Sequence, residues 1–157
     1  MHNIKSIGTI KTPFKAIEDM PIQPKGAKDV EGIIILDEEL SEGLKDLDGF
    51  SHIYLIYSFH EVKRTELTVT PFMDTQERGV FSTRTPLRPN HIGLSIVLKS
   101  VKDNKVYVDG IDVLDGTPLL DIKPFIEKFD GVKDSKSGWL KASAEDVINK
   151  RSDKRFE

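Results

Sequence analysis

The sequence predicts a mainly β protein, folded as one antiparallel, barrel-like sheet with a few short helices. Three observations carry that prediction. Seven short runs rich in β-branched and aromatic residues recur along the chain, with Gly, Pro, Asn and Asp between them. Helical spacing of apolar residues is confined to two short stretches. No Gly-x-Gly-x-x-Gly fingerprint and no P-loop occurs, so a doubly wound nucleotide-binding sheet has no support.

In chain order the predicted strands cover residues 4–10, 30–36, 52–59, 67–70, 80–81, 94–101 and 106–113. Within residues 94–99 the even positions Leu94, Ile96 and Leu98 are apolar, which predicts that they form the inward face. Asp103 and Asn104 supply turn chemistry, so residues 94–113 read as a hairpin, with Val106 and Val108 continuing the inward face. Leu40, Leu44 and Leu47 recur at i, i+4 and i+7 before Gly49, predicting an amphipathic helix over 38–48. A second helix is expected from Ser143 as N-cap, with Glu145 and Asp146 in its first turn. Residues 1–140 therefore read as one domain, and 141–157 as a short helix with a frayed tail.

Composition narrows the function classes. At 157 residues and 17.7 kDa the chain suffices for one core. The apolar stretches are far too short to cross a bilayer as helices, and the opening MHNIKSIGTIKTP lacks a signal-peptide core, so a cytoplasmic protein is expected. With no cysteine there is no disulfide framework and no thiolate nucleophile. The net charge of −3 is unremarkable, but its distribution is uneven. Residues 37–48 hold six acids and one lysine, whereas residues 78–102 hold Arg78, Arg84, Arg88, Lys99 and Lys102 with no acid. The basic run reads either as an anion-binding face or as ordinary surface patchiness.

Two segments concentrate polar chemistry. Residues 79–95, GVFSTRTPLRPNHIGLS, form a connection stiffened by Pro86 and Pro89, each fixing its own φ and restricting the residue before it. Such a loop presents Arg, Thr, Ser and Asn groups at low entropic cost, as a preorganised site requires; alternatively it is a rigid turn whose arginines pair with the acidic run. Residues 112–125, DVLDGTPLLDIKPF, place Asp112, Asp115 and Asp121 around an Asp-Gly turn. Leu-Asp-Gly-Thr partly matches the first motif of haloacid-dehalogenase-like phosphatases. The nucleophile position is Val113, however, and Asp112 is one residue out of register, on the opposite strand face. Of His2, His52, His60 and His91, the middle two lie eight residues apart, about 26 Å along a strand, and cannot share a metal. No metal-ligand spacing is present.

These two segments, with IGTIKTPFK (7–15), Gln23-Pro24 and FSHIY (50–54), resemble the TsaA-like family, in order, over residues 4 to about 125. Characterised bacterial members are S-adenosylmethionine-dependent tRNA methyltransferases acting on N6 of threonylcarbamoyladenosine beside the anticodon. The resemblance implies a non-Rossmann β-barrel methyltransferase working as a homodimer. By position it implies cofactor contacts at Pro24, Lys25, Gly26, His60, Glu61, Arg84, Leu94, Leu119, Leu120, Asp121 and Ile122. Arg88, Asn90 and Lys123 match family positions that would meet substrate or RNA. His60, His91 and Asp115 remain open as the base, because a ureido-linked N6 is a poor nucleophile until it loses its proton. His91 stands where Pro usually follows the Asn, Phe125 replaces the usual Tyr, and the chain stops soon after Trp139, short of the extension that longer members use on tRNA. Other acceptors, or a non-catalytic barrel binding S-adenosylmethionine or RNA, are the alternatives.

Overall fold

A computed structural model describes residues 2–16, 30–72, 74–103 and 105–140. Its strands are β1 Gly8–Lys11, β2 Glu31–Leu36, β3 His52–Ser58, β4 Thr68–Val69, β5 Arg78–Gly79, β6 Ile92–Lys102, β7 Lys105–Asp109 and β8 Thr117–Pro124. Six of them close a barrel in the order β1-β2-β7-β6-β3-β8, with every neighbouring pair antiparallel. The short strands β4 and β5 make a separate two-stranded ladder. The expected mainly β barrel with few helices is the observed architecture.

Side-chain alternation fills the barrel. Ile53, Leu55 and Tyr57 of β3 point inward, as do Ile34 of β2, Val106 and Val108 of β7, and Leu119 of β8, all buried. Each fully buried aliphatic side chain contributes roughly 1.5–3 kcal/mol, and a barrel this narrow is filled by side chains, not water. Ile111 and Val113, in the β7–β8 connection, plug one end from above. Leu44 and Leu47 close the other.

The β6–β7 hairpin forms as predicted, with Asp103 taking the left-handed φ of 57° that a tight hairpin turn favours. Val106 and Val108 face inward as expected, but the facing of β6 is reversed. Leu94, Ile96 and Leu98 are 52%, 42% and 48% exposed on the outside, while Ser95 and Val97 are buried inside. The physical reason is a polar group that needs an interior partner: Ser95 belongs to a hydrogen-bonded chain described below.

Other differences have local causes. Residues 80–81, expected as a strand, form the 3-10 turn Val80–Ser82, and the ladder lies just before it. Residues 4–7 precede β1, and 110–113 leave β7 as a loop. β8 is absent from the sequence prediction because Pro118 and Pro124 punctuate it; both are accommodated near its ends. The expected helix over 38–48 is two 3-10 segments, Glu38–Leu44 and Leu47–Gly49, consistent with the weak helix formers Ser41 and Gly43; Leu40 stays exposed while Leu44 and Leu47 are buried. A four-residue helix, α1 (Glu127–Asp130), follows β8. The helix expected from Ser143 lies outside the described residues.

Candidate functional site

Strand direction sorts the connections. β1, β3 and β7 run one way and β2, β6 and β8 the other, so the connections 12–30, 59–91 and 110–116 all emerge at one end, here called the mouth. His60, Glu61, Arg84, Arg88, Asn90, His91 and Asp115 lie on these connections, and Leu94 is near the start of β6. Pro24, Lys25 and Gly26 lie outside the described residues. The acidic run 37–48 sits at the opposite end, so the mouth arginines do not pair with it. The basic run also divides, because Lys99 Nζ donates to Asp48 O at 3.2 Å at that opposite end.

The long connection is held by a second small core, in which Val69 and Leu87 are buried against Val62 and Phe72. Backbone bonds from Glu66 N to Leu87 O (2.9 Å) and from Val80 N to Leu67 O (2.9 Å) tie its two arms together. Arg88 Nη1 donates to Thr83 O at 2.9 Å and Thr85 O at 3.4 Å, so this guanidinium braces the loop from within. Phe59 N donates to His91 O at 2.8 Å, joining the His60–Glu61 turn to Asn90–His91. His91 has a φ of 49°, a conformation closed to proline, and its Nδ1 lies 3.0 Å from Pro86 O. A carbonyl oxygen only accepts, so Nδ1 carries hydrogen, and in the neutral ring this tautomer leaves the lone pair on Nε2. His60 Nε2 lies 3.5 Å from Glu61 Oε1. Asn90 and Arg84 are exposed at the surface.

On β8 the register shifts between Ile56 and Tyr57: Tyr57 faces Leu119 and Ile56 faces Asp121, leaving Leu120 as the extra residue of a β-bulge. Leu119 is fully buried and Ile122 is partly buried against the core, so both side chains turn toward the barrel interior. Leu120 and Asp121 are partly exposed. Asp121 Oδ2 pairs with Lys123 Nζ at 3.0 Å, and Oδ1 accepts from Ile122 N. Leu94, Ile56 and Asp121 form one row across the outside of β6, β3 and β8.

Asp115 does something the sequence reading does not anticipate. In place of a local Asx turn, its Oδ1 accepts from Thr12 N at 3.0 Å and its Oδ2 meets Lys15 Nζ at 2.6 Å, clamping the end of β1 to the β8 turn. The Lys15 ammonium first, then the Thr12 N–H, hold its carboxyl below the usual range. The turn itself closes through Gly116 at φ 82°, with Thr117 N and Oγ1 donating to Leu114 O.

The sequence also gives no reason to pick the chain Tyr57–Ser95–Asp112. Ser95 Oγ donates to Asp112 Oδ1 at 2.6 Å, and Tyr57 OH lies 2.9 Å from Ser95 Oγ. Asp112 keeps some surface as a residue, yet its carboxyl is enclosed, and that burial pushes its pKa to about 6 against the lowering effects of Ser95 and the Arg84 charge. Burial likewise raises the Tyr57 phenol well above its ordinary value. The available signal is a serine set among the otherwise apolar residues 92–98 of β6. Among the described residues no group of His, Asp or Glu is placed to hold a metal ion.

Known proteins share this fold. The family model of the tRNA-methyltransferase O N-terminal domain matches residues 9–131. A probable S-adenosyl-L-methionine-binding protein of Pyrococcus abyssi is 48% identical over 153 residues, covering 97% of this chain and 83% of that protein. The mouse tRNA (adenine(37)-N6)-methyltransferase is 34% identical over 132 residues, covering 79% of this chain and 31% of the mouse protein. The crystal structure of TrmO from Pseudomonas aeruginosa matches with a TM-score of 0.74 at 34% identity, covering 88% of this chain and 62% of that one. The chain thus spans less than two thirds of the length of the latter two. With the closed barrel, the rigid arginine loop and these matches together, the chain belongs to the tRNA-methyltransferase O family.

Proposed function

We propose that the chain is an S-adenosylmethionine-dependent methyltransferase acting on N6 of threonylcarbamoyladenosine in tRNA, in the cytoplasm and as a homodimer. The observation that carries the reading is the gathering at one barrel mouth of the Arg84 loop, the His60–Glu61 turn and the bulged Leu120–Asp121 segment. The residues fit the cofactor's chemistry: Arg84 for its carboxylate, Asp121 for ribose hydroxyls, and the apolar surface of Leu94 and Ile56 for adenine. When bound, S-adenosylmethionine supplies an electrophilic methyl group on a sulfonium.

Positioning does most of the work in such a displacement, and the small core under the 62–91 connection keeps its groups fixed. His91 Nε2, with its lone pair available and its ring held by Pro86 O, takes the N6 proton, with His60 as the second candidate. Asp115 is unsuited, since both oxygens are engaged and its basicity is reduced. Arg88 keeps the loop in shape beside the acceptor, while Asn90 and Lys123 line its approach. For the homodimer, support comes from the outward apolar surface of Ile96 and Leu98 beside Tyr54, next to the Leu94–Ile56 pair assigned to adenine.

The test is calorimetric titration with S-adenosylmethionine, followed by methyl incorporation into tRNA with and without the threonylcarbamoyl group. Micromolar binding, with incorporation only into the modified tRNA, is expected. Absence of binding overturns the methyltransferase reading; binding without incorporation into any acceptor leaves a non-catalytic module.

A further inference from the structure

Phe81 is 76% exposed, although it sits on one of the most firmly held turns of the molecule. Its neighbour Val80 takes the inward position and is 1% exposed, leaving Phe81 on the outside of the 3-10 turn. The turn is fixed by Val80 N to Leu67 O (2.9 Å), Ser82 Oγ to Gly79 O (2.8 Å) and Thr83 Oγ1 to Val80 O (2.7 Å). From the chain's far end, Trp139 Nε1 donates to Ser82 O at 2.8 Å, and the Arg78 guanidinium lies 5.5 Å from the Trp139 ring centroid. Arg78 is in turn oriented by Asp74. The ring of Phe81 therefore cannot fold inward without breaking several bonds, and its exposure is built in.

We propose that Phe81 is a stacking platform for an unpaired nucleobase of the RNA substrate, with Trp139 and Arg78 holding the turn that carries it. The inference rests on the tRNA reading above and names where the RNA is gripped. A single flat ring on a rigid turn within an arginine-bearing loop suits single-stranded RNA: the ring takes a base face, and the positive field of the loop draws in the phosphate backbone. Charge favours RNA over a second copy of the chain. Arg78 is offset by Asp74, but Arg84 and Arg88 stand among residues 79–95, which hold no acid, so two such loops brought together by a twofold axis repel each other, whereas a polyanion is attracted. The broad apolar rows on β6 and β3, not this isolated ring, are the surface proposed above for a homodimer.

The test uses the full chain and two fluorescently labelled RNAs, a synthetic anticodon stem–loop and a blunt duplex of equal length, with affinity read by anisotropy. Phe81→Ala is expected to weaken stem–loop binding about tenfold and to leave duplex binding within twofold, while Phe81→Trp restores it. Because Phe81 is exposed, the variant folds, and its melting temperature should match the wild type. Stem–loop affinity unchanged in Phe81→Ala, or no RNA binding by the wild type, overturns the platform. So does a loss of affinity that tracks a shift from dimer to monomer in sedimentation, which places Phe81 at a contact between copies. S-adenosylmethionine titration of the same samples separates the two readings: RNA binding through Phe81 without cofactor binding keeps the platform and removes the methyltransferase.

Discussion

Inside the mouth of the barrel, Ser95 gives its hydroxyl hydrogen to Asp112 at 2.6 Å, turning a serine into the barrel and three leucine and isoleucine side chains out of it. A carboxyl enclosed in this way is easier to protonate, and its pKa stands at about 6. The folded state then binds more protons than the unfolded state from about pH 4, the usual aspartate range, up to about 6. The stability this proton contributes is complete below pH 4 and is lost as pH rises through 6. Asp112→Asn removes the dependence. Its melting temperature should exceed that of the wild type by roughly 3–6 °C at pH 8 and converge with it near pH 4, read by scanning fluorimetry across that range.

Gly93, across the strand pair from Tyr57, marks the tightest approach in the same region. A Cβ there would stand 2.3 Å from Tyr57 Cε2 and 2.8 Å from Phe59 Cζ. The Tyr57 ring is buried, packs edge-on against Phe59 at 5.5 Å and is tied to Ser95, so it has nowhere to go. Gly93→Ala should cost roughly 2–3 kcal/mol, seen as a lower midpoint of urea unfolding with an unchanged slope. A midpoint equal to wild type would mean that the ring yields freely.

The reversed facing of β6 is open to a paired substitution. Val97→Ser, inside, should cost about 2–3 kcal/mol through lost burial and an unmet hydroxyl. Ile96→Ser, one residue away and outside, should change stability by less than about 0.5 kcal/mol. The outward change should instead shift the sedimentation behaviour from dimer toward monomer. Equal costs for the two would contradict the facing.

Asp115→Asn separates a clamp from a catalytic base. The carboxylate's pKa is depressed by Lys15 and Thr12, so its stabilising effect is present above the ordinary aspartate pKa and disappears as pH falls through the lowered value. The variant should lose about 1 kcal/mol at neutral pH and become less sensitive to acid in that window, while methyl transfer persists within a fewfold. A thousandfold fall in kcat with normal stability would return Asp115 to the list of bases.

Particular residues show why some of this was legible in the sequence and some was not. Ile53, Leu55 and Tyr57 alternate cleanly, and the Asp103 turn follows a strong apolar run, so β3 and the β6–β7 hairpin could be read from local pattern. The facing of β6 could not, because its outward residues Leu94, Ile96 and Leu98 are more apolar than the inward Gly93, Ser95 and Val97, and the deciding contact, with Asp112, comes from a residue seventeen positions on. Pro118 and Pro124 hid β8, although a strand tolerates proline near its ends. The stiffness of the 79–95 loop was visible in its prolines. Its true brace, the Arg88 guanidinium on Thr83 O, and the small core around Val69 and Leu87 depend on residues brought together by folding. Likewise the pairing of Asp115 with Lys15 spans a hundred residues, beyond any window of local pattern.

Closure of the barrel leaves none of its six strands with an unpaired edge. An open sheet offers its rim of backbone amides as a template on which another chain can add, whatever its sequence. In the barrel that route is shut, and only its faces remain for association. Faces are made of side chains, so company is chosen by residue identity: one substitution on the outer wall can gain or dismiss a neighbour while the ladder beneath is untouched. Such a molecule can change its associations in evolution without unpicking its architecture.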